Sequence, residues 1–155
     1  MANITVASVP RMSRETLSTL VRSKSPALAV IDVRDSDYIG GHIIGCRNVP
    51  SNTLDYRLPE LVRTLVDKEI VVFHCALSQQ RGPSAALRYL REKERLGFPI
   101  AAANNQDAAA NPRESSIPPQ RVYVLDGGFV KWQELYGSDK NLTEDYQKDI
   151  WEEDY

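Results

Sequence analysis

The sequence predicts an α/β fold: a central, mostly parallel sheet flanked by helices on both faces. Three observations carry that prediction. Short runs of β-branched and aromatic residues alternate with stretches of helical periodicity, as successive βα units do. The strand-like runs are apolar with little alternation, the pattern of strands covered on both faces. The chain has 155 residues, 42% of them hydrophobic, enough for one core and one domain.

The elements follow in order. Ser13 suits the N-cap of a helix over 14–22, with Leu17, Leu20 and Val21 on one face. Residues 27–33, Ala-Leu-Ala-Val-Ile-Asp-Val, read as a buried strand. Gly40-Gly41 breaks the pattern, and a short extended piece over 46–49 ends at Pro50. A second helix is predicted over 53–66, bent or split at Pro59. Ile-Val-Val-Phe at 70–73 is the strongest strand signal. The next helix, 83–96, carries Ala85, Ala86, Leu87, Tyr89 and Leu90 and is stopped by Gly97 and Pro99. Residues 99–120 are rich in Ala, Asn, Pro and Ser without periodicity, which predicts a disordered surface insertion. A strand at 122–125 closes with Asp126-Gly127-Gly128. The helix after it, 129–136, should turn Trp132 and Leu135 inward, with Trp132 and Tyr136 packed as a pair. The tail, 137–155, is expected to dock Tyr146, Ile150 and Trp151 on the body. The whole chain, 1–155, reads as a single domain without internal repeats.

Charge and cysteine content exclude several classes. Nineteen basic residues against 21 acidic ones give a net charge of −2, which argues against a nucleic-acid partner. No apolar run approaches the roughly 20 residues of a membrane span, and Met-Ala-Asn-Ile-Thr does not open a secretion signal. Cys46 and Cys75 are too few for a disulfide framework or a four-ligand zinc site, so no metal is expected. A cytoplasmic protein with reduced thiols is the expectation, with the nucleus as a second compartment.

The informative stretch is Ile70-Val-Val-Phe-His-Cys-Ala-Leu-Ser-Gln-Gln-Arg-Gly-Pro83. A buried strand delivers Cys75 to its carboxyl end, where open α/β sheets place their sites. A helix begins near Arg81-Gly82-Pro83, and proline suits a first helical turn. Between them Ala76, Leu77, Ser78, Gln79 and Gln80 are enough chain to curl backbone N–H groups around an anion, with Gly82 completing the loop. Free cysteine titrates near 8.5, leaving about 3% thiolate at pH 7. Aligned amides, a helix N-terminus and a guanidinium favour the anion. Arg81 is placed to swing over the cradle and grip two oxygens of a tetrahedral oxyanion, which only a planar fork does well. His74 should point away from the pocket and hydrogen-bond the loop from behind. Ser78 is a candidate donor to the thiolate or to a leaving sulfur. The spacing Cys-x5-Arg alone is weak; its strand–loop–helix setting gives it weight over a buried structural cysteine.

His74 through Pro83 resembles the catalytic loop of the M-phase inducer dual-specificity phosphatases and of their small fungal and plant relatives, some of them arsenate reductases. Three further segments are similar to the wider rhodanese-like superfamily: Val30-Ile31-Asp32-Val33-Arg34-Asp35, Tyr38-Ile39-Gly40-Gly41-His42-Ile43 to Asn48-Val49-Pro50, and Leu125-Asp126-Gly127-Gly128-Phe129 with Trp132. The resemblance spans roughly 25–136, implies the rhodanese-like fold and makes Cys75 the nucleophile. Departures are equally visible. Those phosphatases commonly carry acids inside the loop, where Ala76 and Gln80 are neutral, so general-acid help worth about 10²–10⁴-fold is absent there. Val33 stands where they carry a back-door cysteine, and their long N-terminal regulatory region has no counterpart. Sulfurtransferases of the superfamily have a loop one residue shorter.

Other candidates are read more plainly. Asp32 and Arg34 form either an acid–base pair or, preferably, a structural pair pinning neighbouring loops, with Asp32 or Asp35 as the partner. His42 reads as a satisfied turn histidine. Cys46 is either a resolving thiol for Cys75 or, preferably, a buried inert one. Asp126, at a strand end, is the candidate proton donor, weighed against a turn role.

The leading expectation is a cysteine-dependent phosphatase acting through a phosphocysteine on phosphate esters, phosphoproteins included, without a cofactor. The alternative is an arsenate reductase that uses glutathione and glutaredoxin as reductant. Thiosulfate sulfurtransferase and a non-catalytic phosphate-binding module are the remaining readings.

Overall fold

The computed structural model describes residues 5–98 and 120–154. The predicted insertion therefore lies outside the described residues except for Gln120. Five strands form the central sheet: β1 (Arg11–Met12), β2 (Leu28–Asp32), β4 (Arg47–Asn48), β5 (Ile70–His74) and β6 (Arg121–Leu125). Their order is β1-β6-β5-β2-β4 and every pairing is parallel. A small antiparallel pair, β3 (His42–Ile43) with β7 (Thr143–Glu144), stands apart. Helices α1 (Arg14–Arg22), α2 (Leu54–Thr64), α3 (Arg81–Arg95), α4 (Gly128–Tyr136) and α5 (Lys148–Asp154) complete the chain. No helix among the described residues is long and apolar enough to cross a membrane.

Strand alternation sorts the core into two layers. Ala29, Ile31, Val71, Phe73, Val122 and Val124 pack against α2 and α3. Val30, Val72 and Leu125 face the other way, onto α1, α4 and Trp151 of α5. Helices thus cover both faces, as the unalternating strand sequences require.

Local chemistry explains the helix starts. The Ser13 hydroxyl accepts from the Thr16 N–H at 3.1 Å and caps α1, whose Leu17 and Val21 are buried. Helix α2 continues through Pro59, so the proline does not split it. The proline is the sixth of the helix's 11 residues, and its missing N–H forfeits a single bond to the Asp55 carbonyl. On α4, Trp132 is fully buried and its ring meets Tyr136 at 4.9 Å. Leu135 is exposed instead of inward-facing. Phe129, Trp132 and Tyr136 make the inward stripe at three- and four-residue spacing, which leaves Leu135 off to one side.

Gln120 also departs from its assignment to a disordered insertion. It is buried, donates to the Leu65 and Lys68 carbonyls at 2.7 and 2.9 Å, and accepts from Tyr89 and Lys93. An amide with all these partners is an anchor leading into β6. The tail docks as expected: Trp151 is buried against Phe129 at 5.3 Å and donates to the Gly40 carbonyl at 2.9 Å. Tyr146 and Ile150 pack beside it.

Candidate active site

Strand β5 pairs in register with β2, setting His74 opposite Asp32. Alternation then sends Cys75 to the other face, and it is buried at the carboxyl edge of the sheet. The chain from Ala76 to Gln80 curls back so that two backbone donors converge on the sulfur. The Ser78 N–H donates to Cys75 Sγ at 3.2 Å and the Gly82 N–H at 3.4 Å. The curl needs a left-handed residue, and Ser78 supplies it at φ 57°. Gly82 packs closely beneath the curl: a β-carbon there would stand 3.2 Å from the His74 Cα, so a side chain would press on the end of β5.

The cradle is braced from behind. The first N–H groups of α4 hold its start: Phe129 donates to the Cys75 carbonyl at 3.0 Å and Val130 to the Ala76 carbonyl at 2.9 Å. Arg11 of β1 donates to the Ser78 carbonyl at 3.0 Å. Ser78 itself departs from expectation, because its backbone N–H approaches the sulfur while its buried hydroxyl has no partner among the described residues. Leu77, Gln79 and Gln80 are exposed, so the mouth of the cradle opens at the surface.

His74 is wholly buried with Nδ1 3.1 Å from the Cys75 carbonyl, which fits the expected support from behind. Burial pushes its pKa below the usual value, so the ring is neutral at pH 7. Its Nε2 lies 3.7 Å from Asp32. Asp32 and Arg34 are both fully buried and bonded to each other, with N···O distances from 2.6 to 3.0 Å. The Arg34 guanidinium also donates to the Ile39 and Gly41 carbonyls and lies 4.5 Å from the Phe129 ring centre. This is the structural, loop-pinning pair.

Arg81 is near enough to Cys75 for the two to interact electrostatically, but its guanidinium makes no hydrogen bond to the sulfur. Its terminal nitrogens grip both Asp37 carboxylate oxygens at 2.8 and 2.6 Å, and one reaches Asp35 at 3.3 Å. The carboxylates offer that charged fork a better bidentate partner than a thiol does. The bond to Asp37 raises the Arg81 pKa, and the same bond holds the Asp37 carboxyl below its usual range. Burial pushes Asp35 up, but bonds from Ser51, Asn52 and Arg81 bring it below its ordinary value. Asp37 is thus a site residue that sequence reasoning missed. Asp-Ser-Asp reads as a turn, and its cation stands 44 positions away.

The lesser candidates resolve simply. His42 pairs with Glu144 at 3.0 Å and stacks on Tyr38. Cys46 is a free thiol pushed up to about 12 by burial, which suits the inert reading. Asp126 is exposed, 3.7 Å from Arg11, and its N–H donates to the Met12 carbonyl, extending the β1–β6 ladder by one bond. No cluster of potential metal ligands occurs among the described residues.

Residues 13–135 match the Rhodanese-like domain family. The chain is 37% identical over 133 residues to the CDC25-like phosphatase YCH1 of Saccharomyces cerevisiae, covering 79% of this chain and 76% of that one. It is 48% identical over 111 residues to arsenate reductase 2.2 of Oryza sativa subsp. japonica, covering 71% and 72%. In three dimensions it resembles Ygr203w, a yeast protein tyrosine phosphatase of the rhodanese family. That match has a TM-score of 0.72 and 32% identity over 96% of this chain and 99% of the other.

Proposed function

The chain belongs to the rhodanese-like domain family, and we propose that it is a cysteine-dependent phosphatase working through a phosphocysteine. One observation carries the reading: two backbone N–H groups converge on the buried Cys75 sulfur, six positions before an arginine held at the same edge. Cys75 attacks the phosphorus of a phosphate monoester as thiolate. The P–O bond to the leaving group breaks, and the departing oxygen takes a proton from solvent. The loop amides and Arg81 bind the three equatorial oxygens, over which charge is spread in the transition state. Water then attacks the phosphocysteine, releasing inorganic phosphate and restoring the thiolate. The surface position of Leu77, Gln79 and Gln80 suits an ester carried on a protein.

A second reading rests on the neutral loop positions Ala76 and Gln80 and on the likeness to the rice arsenate reductase. Arsenate has the shape and charge of phosphate, so the same cradle takes it. Cys75 displaces water from arsenic(V). A glutathione thiol then attacks the Cys75 sulfur, giving arsenite and a mixed disulfide, and glutaredoxin reduces that disulfide. No leaving-group acid of the kind an alkyl ester requires is needed.

Turnover of p-nitrophenyl phosphate tests the first reading and coupled arsenate reduction with glutathione and glutaredoxin the second. Cys75→Ser should abolish both while circular dichroism stays unchanged. Undiminished phosphate release by that variant refutes the phosphatase assignment.

A further inference from the structure

Building on the phosphatase reading, we propose that Asp37 is an internal stand-in for the substrate's oxyanion. It is a positioning residue that holds Arg81 in a latched state, and an incoming phosphate must open that latch. The two N–H···O bonds at 2.8 and 2.6 Å are the fork-to-carboxylate arrangement, the same two-point grip a phosphate receives. The edge of Arg81 formed by its two terminal nitrogens is therefore already occupied.

The carboxylate side of the latch is fixed. Asp35 is tied down by the Ser51 hydroxyl at 2.6 Å and the Asn52 N–H at 3.1 Å. Arg34 holds the carbonyls of Ile39 and Gly41, further along the same loop. Asp37 Oδ1 also accepts from the Asp35 N–H at 2.9 Å. Arg81, the longer side chain of the pair with more rotatable bonds, is the member with the greater freedom to move. Oxyanion affinity is then the difference between two grips on one guanidinium. A phosphate or arsenate dianion, adding the cradle amides to a double charge, displaces Asp37. A monoanionic carboxylate offers Arg81 no more than Asp37 does and is turned away.

Asp37→Asn tests this with little disturbance, since its amide oxygen still accepts from the Asp35 N–H while the charge is gone. Inorganic phosphate binding is read as protection of Cys75 from iodoacetamide, which needs no turnover. The latch predicts phosphate binding about fivefold tighter in the variant, the scale of a half-exposed ion pair. The KM for p-nitrophenyl phosphate should fall in parallel, with the larger part of the change in KM rather than kcat. Asp37→Glu, keeping the charge, should stay nearer the parent. Asp37→Ser serves if the Asn variant does not fold. Phosphate affinity unchanged or weakened in a folded uncharged variant overturns the latch. A parent that binds phosphate but hydrolyses no ester fails the phosphatase reading alone, and one whose thiol phosphate never protects fails both.

Discussion

Gly128 lies so close to Ala76 that a β-carbon on it would stand 2.4 Å from the Ala76 carbonyl oxygen. The contact joins two distant stretches of sequence: the turn that starts α4 and the loop that cradles the Cys75 sulfur. It lets the Phe129 and Val130 N–H groups reach the carbonyls of Cys75 and Ala76, so the end of one βα connection sets the shape of another. The Gly-Gly-Phe turn is thereby part of the site without touching the sulfur.

Gly128→Ala should damage both stability and binding. Gly128 has φ 63°, where an L side chain costs roughly 1–2 kcal/mol before any clash. The clash is with backbone, so the Ala76 end of the cradle must move. A drop of at least about 2 kcal/mol in urea unfolding is expected, together with weaker phosphate protection of Cys75. Parent-like phosphate protection would mean that the brace does not shape the cradle.

Arg81→Lys should leave the fold intact and remove most of the activity. Arg81 is partly exposed and its side chain bonds Asp35 and Asp37, both partly exposed themselves, so the fold around it tolerates the change. A lysine supplies charge without the planar fork. A loss of about 10²–10³ in kcat/KM for p-nitrophenyl phosphate is expected, against an unchanged melting temperature. Activity within a few-fold of the parent would remove Arg81 from the reacting centre.

Asp32→Ala should be far more disruptive to the fold. It strands the wholly buried Arg34 guanidinium, leaving it the Ile39 and Gly41 carbonyls and the Tyr38 and Phe129 rings. Breaking one side of a buried pair costs about 3–5 kcal/mol. The urea midpoint measures it, and a shift below about 1 kcal/mol would show that the pair is dispensable.

What the sequence showed and what it hid divide along range. The long strands and helices were legible because burial on both faces leaves an apolar run and burial on one leaves a 3.6-residue stripe. The cradle was legible because a strand end, a five-residue loop and Gly-Pro at a helix start are neighbours in sequence. Strand β1 and the β3–β7 pair are two residues long, too short for any periodicity, and exist because a partner far along the chain accepts them. The hold on Arg81 was hidden for the same reason, since nothing near Arg81 announces Asp37. Gln120 lay at the end of a polar stretch, and only the carbonyls of Leu65 and Lys68 make it an anchor.

Lys93 should give the protein a pH-dependent stability that a single substitution removes. Its ammonium is buried, with Nζ donating to Gln120 Oε1 at 3.0 Å, and burial lowers its pKa to about 8. An unfolded lysine titrates near 10.4. Below about pH 8 both states hold the proton and folding bears the full desolvation cost. Between about pH 8 and 10.4 the unfolded chain binds more protons than the folded one, so stability rises with pH and the cost is relieved. Tyr89, which shares the same Gln120 oxygen at 2.7 Å, is pushed up by burial and stays protonated across that range. Lys93→Met keeps the stem and loses the charge. It should melt higher than the parent at pH 7, by roughly 4 °C, and the gap should close towards pH 10. Taking the difference between the two proteins cancels every other titrating group. A gap that does not change with pH would show that the Lys93 ammonium is not the source of the cost.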